Sequence, residues 1–381
     1  MIRRVFPVLA LAIFSSMLGA GIVVPLLPLY AEGMGATGLW LGFIFASFAI
    51  SRTLVTPFFG RLSDRKGRKL LLVIGLFTYA LISFTYVLAT EVYQLVLIRL
   101  VHGVSGAMIL PIAQAYIGDL SPEGEEGKWM GYSNAAFFSG FGFGPLMGGM
   151  LATQWGMNLA FITMGVFNLI AFFIAIILLP RSDLRKSATA LPFSFMDMRR
   201  SSTMVGLFSF RLAIALGRSS FFTFLPLLAA TRLGLPANLI GILIAVHVLL
   251  MSMLGMVGGR MADIFNRRVL VGIGSIVIFV YLFLVPLAPG FGPLLALCIL
   301  GSIGSAIATP PVMALTVEEG RKYGMGSAIA AITMAMSIGM AVGPIMTGAI
   351  VDLIDINAAF YFSAGLALVG AALFMWFTRA R

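Results

Sequence analysis

Arg211 and Arg218 stand seven residues apart in the otherwise apolar run RLAIALGRSSFFTFLPLL. On a helix this spacing puts both on one face, roughly 10 Å apart along the axis. A guanidinium stays charged and offers a planar fork of donors, suited to a carboxylate or phosphate. Recognition of an anionic head group is therefore one chemistry on offer. The plainer alternative is that each arginine ties to backbone carbonyls or snorkels to water. Arg218, close to mid-span, weighs toward a cavity, and Arg52 toward the plainer role. A second cluster is Arg99 with His102, three residues on and on the same helix face. An unperturbed imidazole titrates near pH 6.5, so His102 could carry a proton or stay neutral as a hydrogen-bonding group. His247 is alone in its apolar run and reads as a packing or hydrogen-bonding residue. Phe137, Phe138, Phe221 and Phe222 flank polar Asn134, Ser139, Ser220 and Thr223 and are candidates to line a greasy cavity. The expected substrate or proton cavity thus comprises Arg99, His102, Asn134, Arg211, Arg218, Phe222 and His247.

Other chemistries lack their residues. With 2 His and 1 Cys there is no metal-ligand cluster, no HExxH and no C-x-x-C. No phosphate-cradling G-x-x-x-x-G-K-[ST] loop occurs, which argues against an ATP-driven pump. No catalytic residue, metal or cofactor is expected. A receptor that binds without transporting remains a distinct alternative, separated from a carrier by measured flux.

The elements that must position these residues are membrane helices. The chain is 60% hydrophobic and 10% charged, with mean hydropathy +1.05 and 32 Phe. A soluble core of 381 residues could not hide so much apolar surface. Crossing a bilayer core of roughly 30 Å takes about 20 helical residues. Polar punctuation predicts about twelve such helices, at 5–31, 39–59, 70–90, 94–117, 129–152, 159–179, 203–230, 238–258, 269–288, 293–316, 327–350 and 357–378. The start, MIRRVFPVLALAIF, has the order of a secretory signal, but the apolar run continues to Tyr30 and reads as the first span. All Lys and Arg except Arg52, Arg99, Arg211, Arg218 and Arg232 fall at the termini or in alternate loops. That bias predicts a multi-pass protein of the cell membrane with both termini in the cytoplasm. It also accounts for the net charge of +11 without nucleic acid. The polar stretch 181–202 divides the chain into six-helix bundles at 1–180 and 203–381. The expected partners are the bilayer, a small-molecule substrate and protons, with the chain acting as a monomer.

The halves repeat. Gly60-Arg61, Asp64 and Arg68-Lys69 recur 199 residues later as Gly259-Arg260, Asp263 and Arg267-Arg268. Gly144-Pro145 reappears as Gly343-Pro344, Pro111 as Pro310 and Gly42 as Gly241. Two six-helix halves in parallel orientation are one large transporter architecture, in which the halves rock about a central cavity. Such motion needs close helix contacts and releasable latches. In GFGFGPLMGG, residues 140–149, Gly140, Gly144 and Gly148 share a face and allow close backbone approach, while Pro145 removes a donor. In GRLSDRKGRK, residues 60–69, Asp64 could meet a helix N-terminus. Arg65, Lys66, Arg68 and Lys69 could meet acids, with Asp119 the closest by topology. Alternatively these bases only enforce orientation; Gly60 and Gly67 favour a tight turn of defined shape.

Together these stretches resemble the major facilitator superfamily over the whole chain. GRLSDRKGRK is similar to its loop 2–3 signature and GFGFGPLMGG to the helix 5 signature of its antiporters. Arg99-Leu-Val-His102-Gly103-Val-Ser-Gly106-Ala107 resembles the helix 4 signature, with His102 in the place of Gln. Gly19-Ala-Gly21-Ile-Val-Val-Pro25-Leu-Leu-Pro28 resembles the helix 1 signature of the twelve-helix drug:proton antiporter branch. The resemblance implies proton-coupled efflux of amphipathic molecules by rocker-switch alternating access. It implies that Asp64 and Arg68, with Asp119, help hold the outward-facing state, and that Arg99 handles protons. It also implies that Gly140, Gly144, Gly148 and Gly149 shape the contact between halves. One departure stands out: none of the 14 acidic residues falls in the middle of a span. In the second copy Ile264-Phe265 replace Arg65-Lys66 and the second glycine is missing. The first copy is therefore expected to carry most of the latch and the second mainly to mark topology.

Overall fold

A computed structural model of the chain describes residues 2–180 and 201–379. The interruption at 181–202 lies outside the described residues apart from Ser201 and Ser202. Among the described residues there are twelve helices long and apolar enough to cross a membrane. They are α1 Ile2–Glu32, α2 Gly38–Lys66, α3 Arg68–Leu88, α4 Val92–Leu120, α5 Glu126–Trp155 and α6 Met157–Leu178. After them come α7 Ser202–Leu233, α8 Ala237–Ile264, α9 Arg267–Leu287, α10 Phe291–Lys322, α11 Met325–Leu353 and α12 Ile356–Thr378. The all-helical, twelve-span architecture is the expected one.

The chain forms two compact units. The first holds the chain up to Ala36, then Phe43 through α6, then Leu235–Ala245. In it α1 packs along α5 and α6, and α3 along α6 and α4. The second holds Thr37–Gly42, α7 to Gly234, and the chain from Val246. There α7 packs along α11 and α12, and α9 along α10 and α12. Each pairing in one unit is the 199-residue image of a pairing in the other, so the repeat seen in the residues is a repeat of packing.

The spans are longer than hydropathy suggests, because a helix does not end where its residues turn polar. Gly60–Lys66 is not a loop; it forms the last two turns of α2, and the break is Gly67 alone. Gly67 has φ 94°, a left-handed value that strains any side chain. Its counterpart Asn266 has φ −62° and breaks the helix differently, its side chain accepting from Arg268 N–H at 3.0 Å. A second glycine is missing from the second copy because an asparagine cap replaces it.

Prolines set the other irregularities. In α4 a turn at Met108 and Ile109 interrupts the helix just before Pro111. In α7 Ser220–Phe224 forms a π-helical turn just before Pro226. Proline cannot donate to the ladder and clashes with the carbonyl four residues back, so the backbone there widens.

Candidate functional site

Four of the residues expected at a cavity come together in the second unit. Arg211, Arg218, Phe222 and His247 line one cavity between the spans of this unit. Arg211 and Arg218 sit on one face of α7, and the π turn displaces the two following phenylalanines from the regular helical register. Phe221 is buried, 4.2 Å ring to ring from His247, and Phe222 lies 6.0 Å from the Arg218 guanidinium carbon. His247 of α8 contacts the Cys298 carbonyl of α10 through Nδ1 at 3.0 Å, and Ser302 Oγ donates to the His247 carbonyl at 3.0 Å. The plainer reading of His247 as a packed, hydrogen-bonded residue fits this geometry even as its ring reaches the cavity wall.

The two arginines meet little compensation. The Arg211 Nη2 contact is Met336 Sδ and the Arg218 Nη2 contact is Met251 Sδ, each at 3.2 Å. A thioether is a weak acceptor. Arg211 Nε is buried with no hydrogen-bond partner, as is the hydroxyl of Tyr281 on the same wall. No Asp or Glu lines the cavity. Among the described residues no ion pair includes either arginine.

The other expected residues lie elsewhere. Arg99 and His102 are buried in the first unit, in a packed cluster away from this cavity. Arg99 lies 4.2 Å over the Phe48 ring, and its Nε donates to the Ile44 carbonyl at 3.4 Å. His102 is fully buried, its ring centroid 3.9 Å from that of Tyr79, with Tyr86 Oη 3.1 Å from Nδ1. Asn134 is exposed on α5, and Phe137 and Phe138 are half-buried. Arg52 is also half-buried on α2.

Of the residues expected to form a latch, Asp64, Arg68 and Asp119 come together in the first unit. Arg68 meets Asp64 at 2.5 Å and Asp119 at 3.0 Å, and donates to Ser63 Oγ at 2.5 Å. Lys69 donates to the Leu179 carbonyl at the end of α6. Arg65 is exposed on the last turn of α2. The second copy forms a pair as well: Arg267 pairs with Glu318 and donates to the Ala262 carbonyl at 3.0 Å. Glu318 is Asp119 advanced by 199, and the repeat offset would have found it.

The glycine seam needs correction. Gly140, Gly144 and Gly148 do not face the other half. They lie against α1 of their own unit, where a Cβ on Gly144 would stand 2.5 Å from the Leu18 carbonyl oxygen and 2.7 Å from Gly21 Cα. Spacing by four shares a face but does not name the neighbour. Pro145 is buried on the same seam, also near Gly21. Gly149 differs: it meets Ala237 and Asn238 at the start of α8, a helix of the second half by sequence. For this glycine the expected contact between halves is present, although by packing that segment joins the first unit. On α11, Gly339 and Gly343 repeat the seam against Ala215 and Leu216 of α7.

A twelve-helix chain of two repeated six-helix bundles, with a cavity between spans, has the architecture of a membrane carrier. The family model for the Major Facilitator Superfamily matches residues 9–236 and 207–381, and the chain belongs to that superfamily. It is a multi-pass membrane transporter, not an enzyme. A similar protein is the uncharacterized MFS-type transporter MJ1560 of Methanocaldococcus jannaschii, 29% identical over 376 residues and covered to 96% in both chains. The quinolone resistance protein NorA of Staphylococcus aureus is 27% identical over 377 residues, covering 97% of this chain and 95% of that one. In fold, the chain resembles a bacterial homolog of the lysosomal transporter Spinster, inward-facing and occupied. The TM-score is 0.85 at 14% identity, over 99% of this chain and 97% of that one. The nucleoside transporter NupG gives a TM-score of 0.82 at 14% identity, over 99% and 100% of the two chains.

Proposed function

We propose that this chain exports amphipathic small molecules by alternating access, with the proton-motive force as its drive. The observation that carries this reading is the cavity between membrane helices, walled by Phe210, Phe221 and Phe222 but furnished with Arg211, Arg218 and His247. A pocket apolar on most sides with a few placed polar groups suits a ligand that is itself greasy and polar at one end. Likeness to a quinolone resistance protein over nearly the whole chain supports export rather than uptake. Under this reading the single chain is the transport unit, lying in the cell membrane with both termini in the cytoplasm. Arg68 with Asp64 and Asp119, and Arg267 with Glu318, act as pairs that hold one conformation and release in another.

The test is flux in proteoliposomes holding the purified full chain, across a panel of amphipathic cations, anions and neutral compounds. A pH gradient and a membrane potential are imposed separately. Flux of at least one compound, raised by either gradient, is expected. Saturable binding with no flux under any gradient would instead describe a receptor of the same fold.

A further inference from the structure

The second-unit cavity is more specific than an amphipathic pocket. Its charged groups are all of one sign. Arg211 and Arg218 line it from one face of α7, and no carboxylate stands on the wall to neutralise them. Burying such charge without a partner costs free energy, and intramembrane charges often mark substrate or ion pathways. The unmet hydrogen-bonding capacity points the same way. Arg211 Nε can only donate, and the Tyr281 hydroxyl is free to donate. Both arginines otherwise rest a nitrogen on a methionine sulfur, a contact that an oxyanion would displace with gain. The first unit has no counterpart: α1 matches α7 at an offset of 198, as Pro28 matches Pro226, and the corresponding positions are Ile13 and Ala20. The charge therefore belongs to this cavity and not to the repeat.

We infer that the cavity of the second unit is a subsite for the anionic head group of an amphipathic substrate. The head group is a carboxylate, sulfonate or phosphate monoester, held by Arg218 and Arg211 with Tyr281 as a further donor. Phe221 and Phe222 take the apolar body beside it. This inference rests on the transport reading above and narrows its substrate class. Arg218 is the principal ligand, since it stands beside the π turn and against Phe222. Arg211, two helical turns earlier, adds attraction.

Binding of a matched pair, 1-naphthylacetate and its neutral amide, tests this with the full chain in phosphatidylcholine nanodiscs by titration calorimetry. The carboxylate is expected to bind about tenfold or more tighter than the amide, the usual worth of one charge-assisted hydrogen-bonded contact. In Arg218→Gln that preference should fall close to one, and Arg218→Lys, which keeps charge but loses the fork, should lie between. Arg211→Gln should reduce it less. Because the readout is a ratio within each variant, a general loss of folded protein does not mimic the result. Equal affinity for both ligands in the unsubstituted chain, or an unchanged ratio in Arg218→Gln, overturns the inference. Nanodiscs containing phosphatidylglycerol separate two sources of the same chemistry. A weakened carboxylate affinity there assigns the subsite to lipid phosphate as well, and no change assigns it to soluble anions. Binding is read without flux, so carboxylate preference in a chain that transports nothing would sink the transport reading alone. Flux without that preference would sink this inference alone.

Discussion

Arg68 is held by two carboxylates at once, and its image Arg267 by one. Removing Arg68 leaves Asp64 and Asp119 facing each other without a cation, so Arg68→Gln should impair flux strongly. Arg267→Gln should impair it to a comparable degree, because its pair with Glu318 is the same contact repeated. Asp64→Asn is expected to impair flux more than Asp263→Asn at equal expression, since Asp64 grips Arg68 while no ion pair to Asp263 occurs among the described residues. The reverse ranking would remove Asp64 from the latch. His102 gives a second residue-level test. Its Nδ1 meets the Tyr86 hydroxyl inside a closed aromatic cluster, a task that the amide of Gln can also perform. His102→Gln should therefore keep most of the transport rate, whereas His102→Leu should cost about 1–3 kcal/mol of stability by stranding that hydroxyl. Loss of flux in a folded Gln variant would make His102 a proton carrier after all. Arg68 and Asp119 were legible as a pair because charge in an apolar chain is conspicuous and topology limits its neighbours. The Tyr281 hydroxyl was not, because nothing in the residue order tells a buried tyrosine facing a cavity from one facing a helix.

At the scale of elements, helix contacts rather than helix positions carried the surprises. The twelve spans were readable from hydropathy, but their ends were not, since polar residues continue a helix into water at little cost. The glycine face of α5 was readable from its spacing by four, yet its partner was not, because a face has no address. Gly144→Ala should be severe: its Cβ would press on the Leu18 carbonyl and Gly21 Cα, both backbone. A loss of about 1–3 kcal/mol, the usual scale of overpacking, is expected in thermal unfolding in detergent. Gly131→Ala, on the same helix with open space around it, should change little or stabilise slightly. A similar loss in both would mean that helix propensity and not the α1 contact is at work. The start of α2 offers another test within the second unit. Both Asp352 carboxylate oxygens accept from its first amides, Gly38 N–H at 2.6 Å and Leu39 N–H at 2.8 Å. The image residue Thr153 accepts from Asn238 N–H at 3.1 Å at the start of α8. Asp352→Ala should cost about 1 kcal/mol, as loss of a helix N-cap does, and Thr153→Val less, read as shifts in thermal midpoint.

The whole molecule is a duplicated scaffold whose copies have kept geometry and exchanged chemistry. Asp119 became Glu318 without altering the pair. Gly67 and Asn266 break the chain at the same place by different means. At the positions of Arg99 and Phe48, a cation over a ring, the second unit has Cys298 and His247 in a hydrogen bond. That symmetry could be found from offsets alone, because duplication leaves landmarks in register. The cavity could not, because it arises where the second copy departs from the first. The surplus of guanidinium there has an electrical consequence. An anion leaving a negative-inside cell moves down the field, a gain of about 2.3 kcal/mol per charge for each 100 mV. That corresponds to roughly fiftyfold in concentration ratio. A carrier whose site is positive when empty and neutralised when loaded can draw on this voltage directly and needs no carboxylate in mid-membrane to pick up and drop a proton. Setting a potassium diffusion potential with valinomycin at equal pH should therefore accelerate export of an amphipathic carboxylate. An imposed pH gradient at zero potential should do much less. The mid-span positions without an acid and the two arginines without a carboxylate then direct the proposed drive to the electrical part of the proton-motive force.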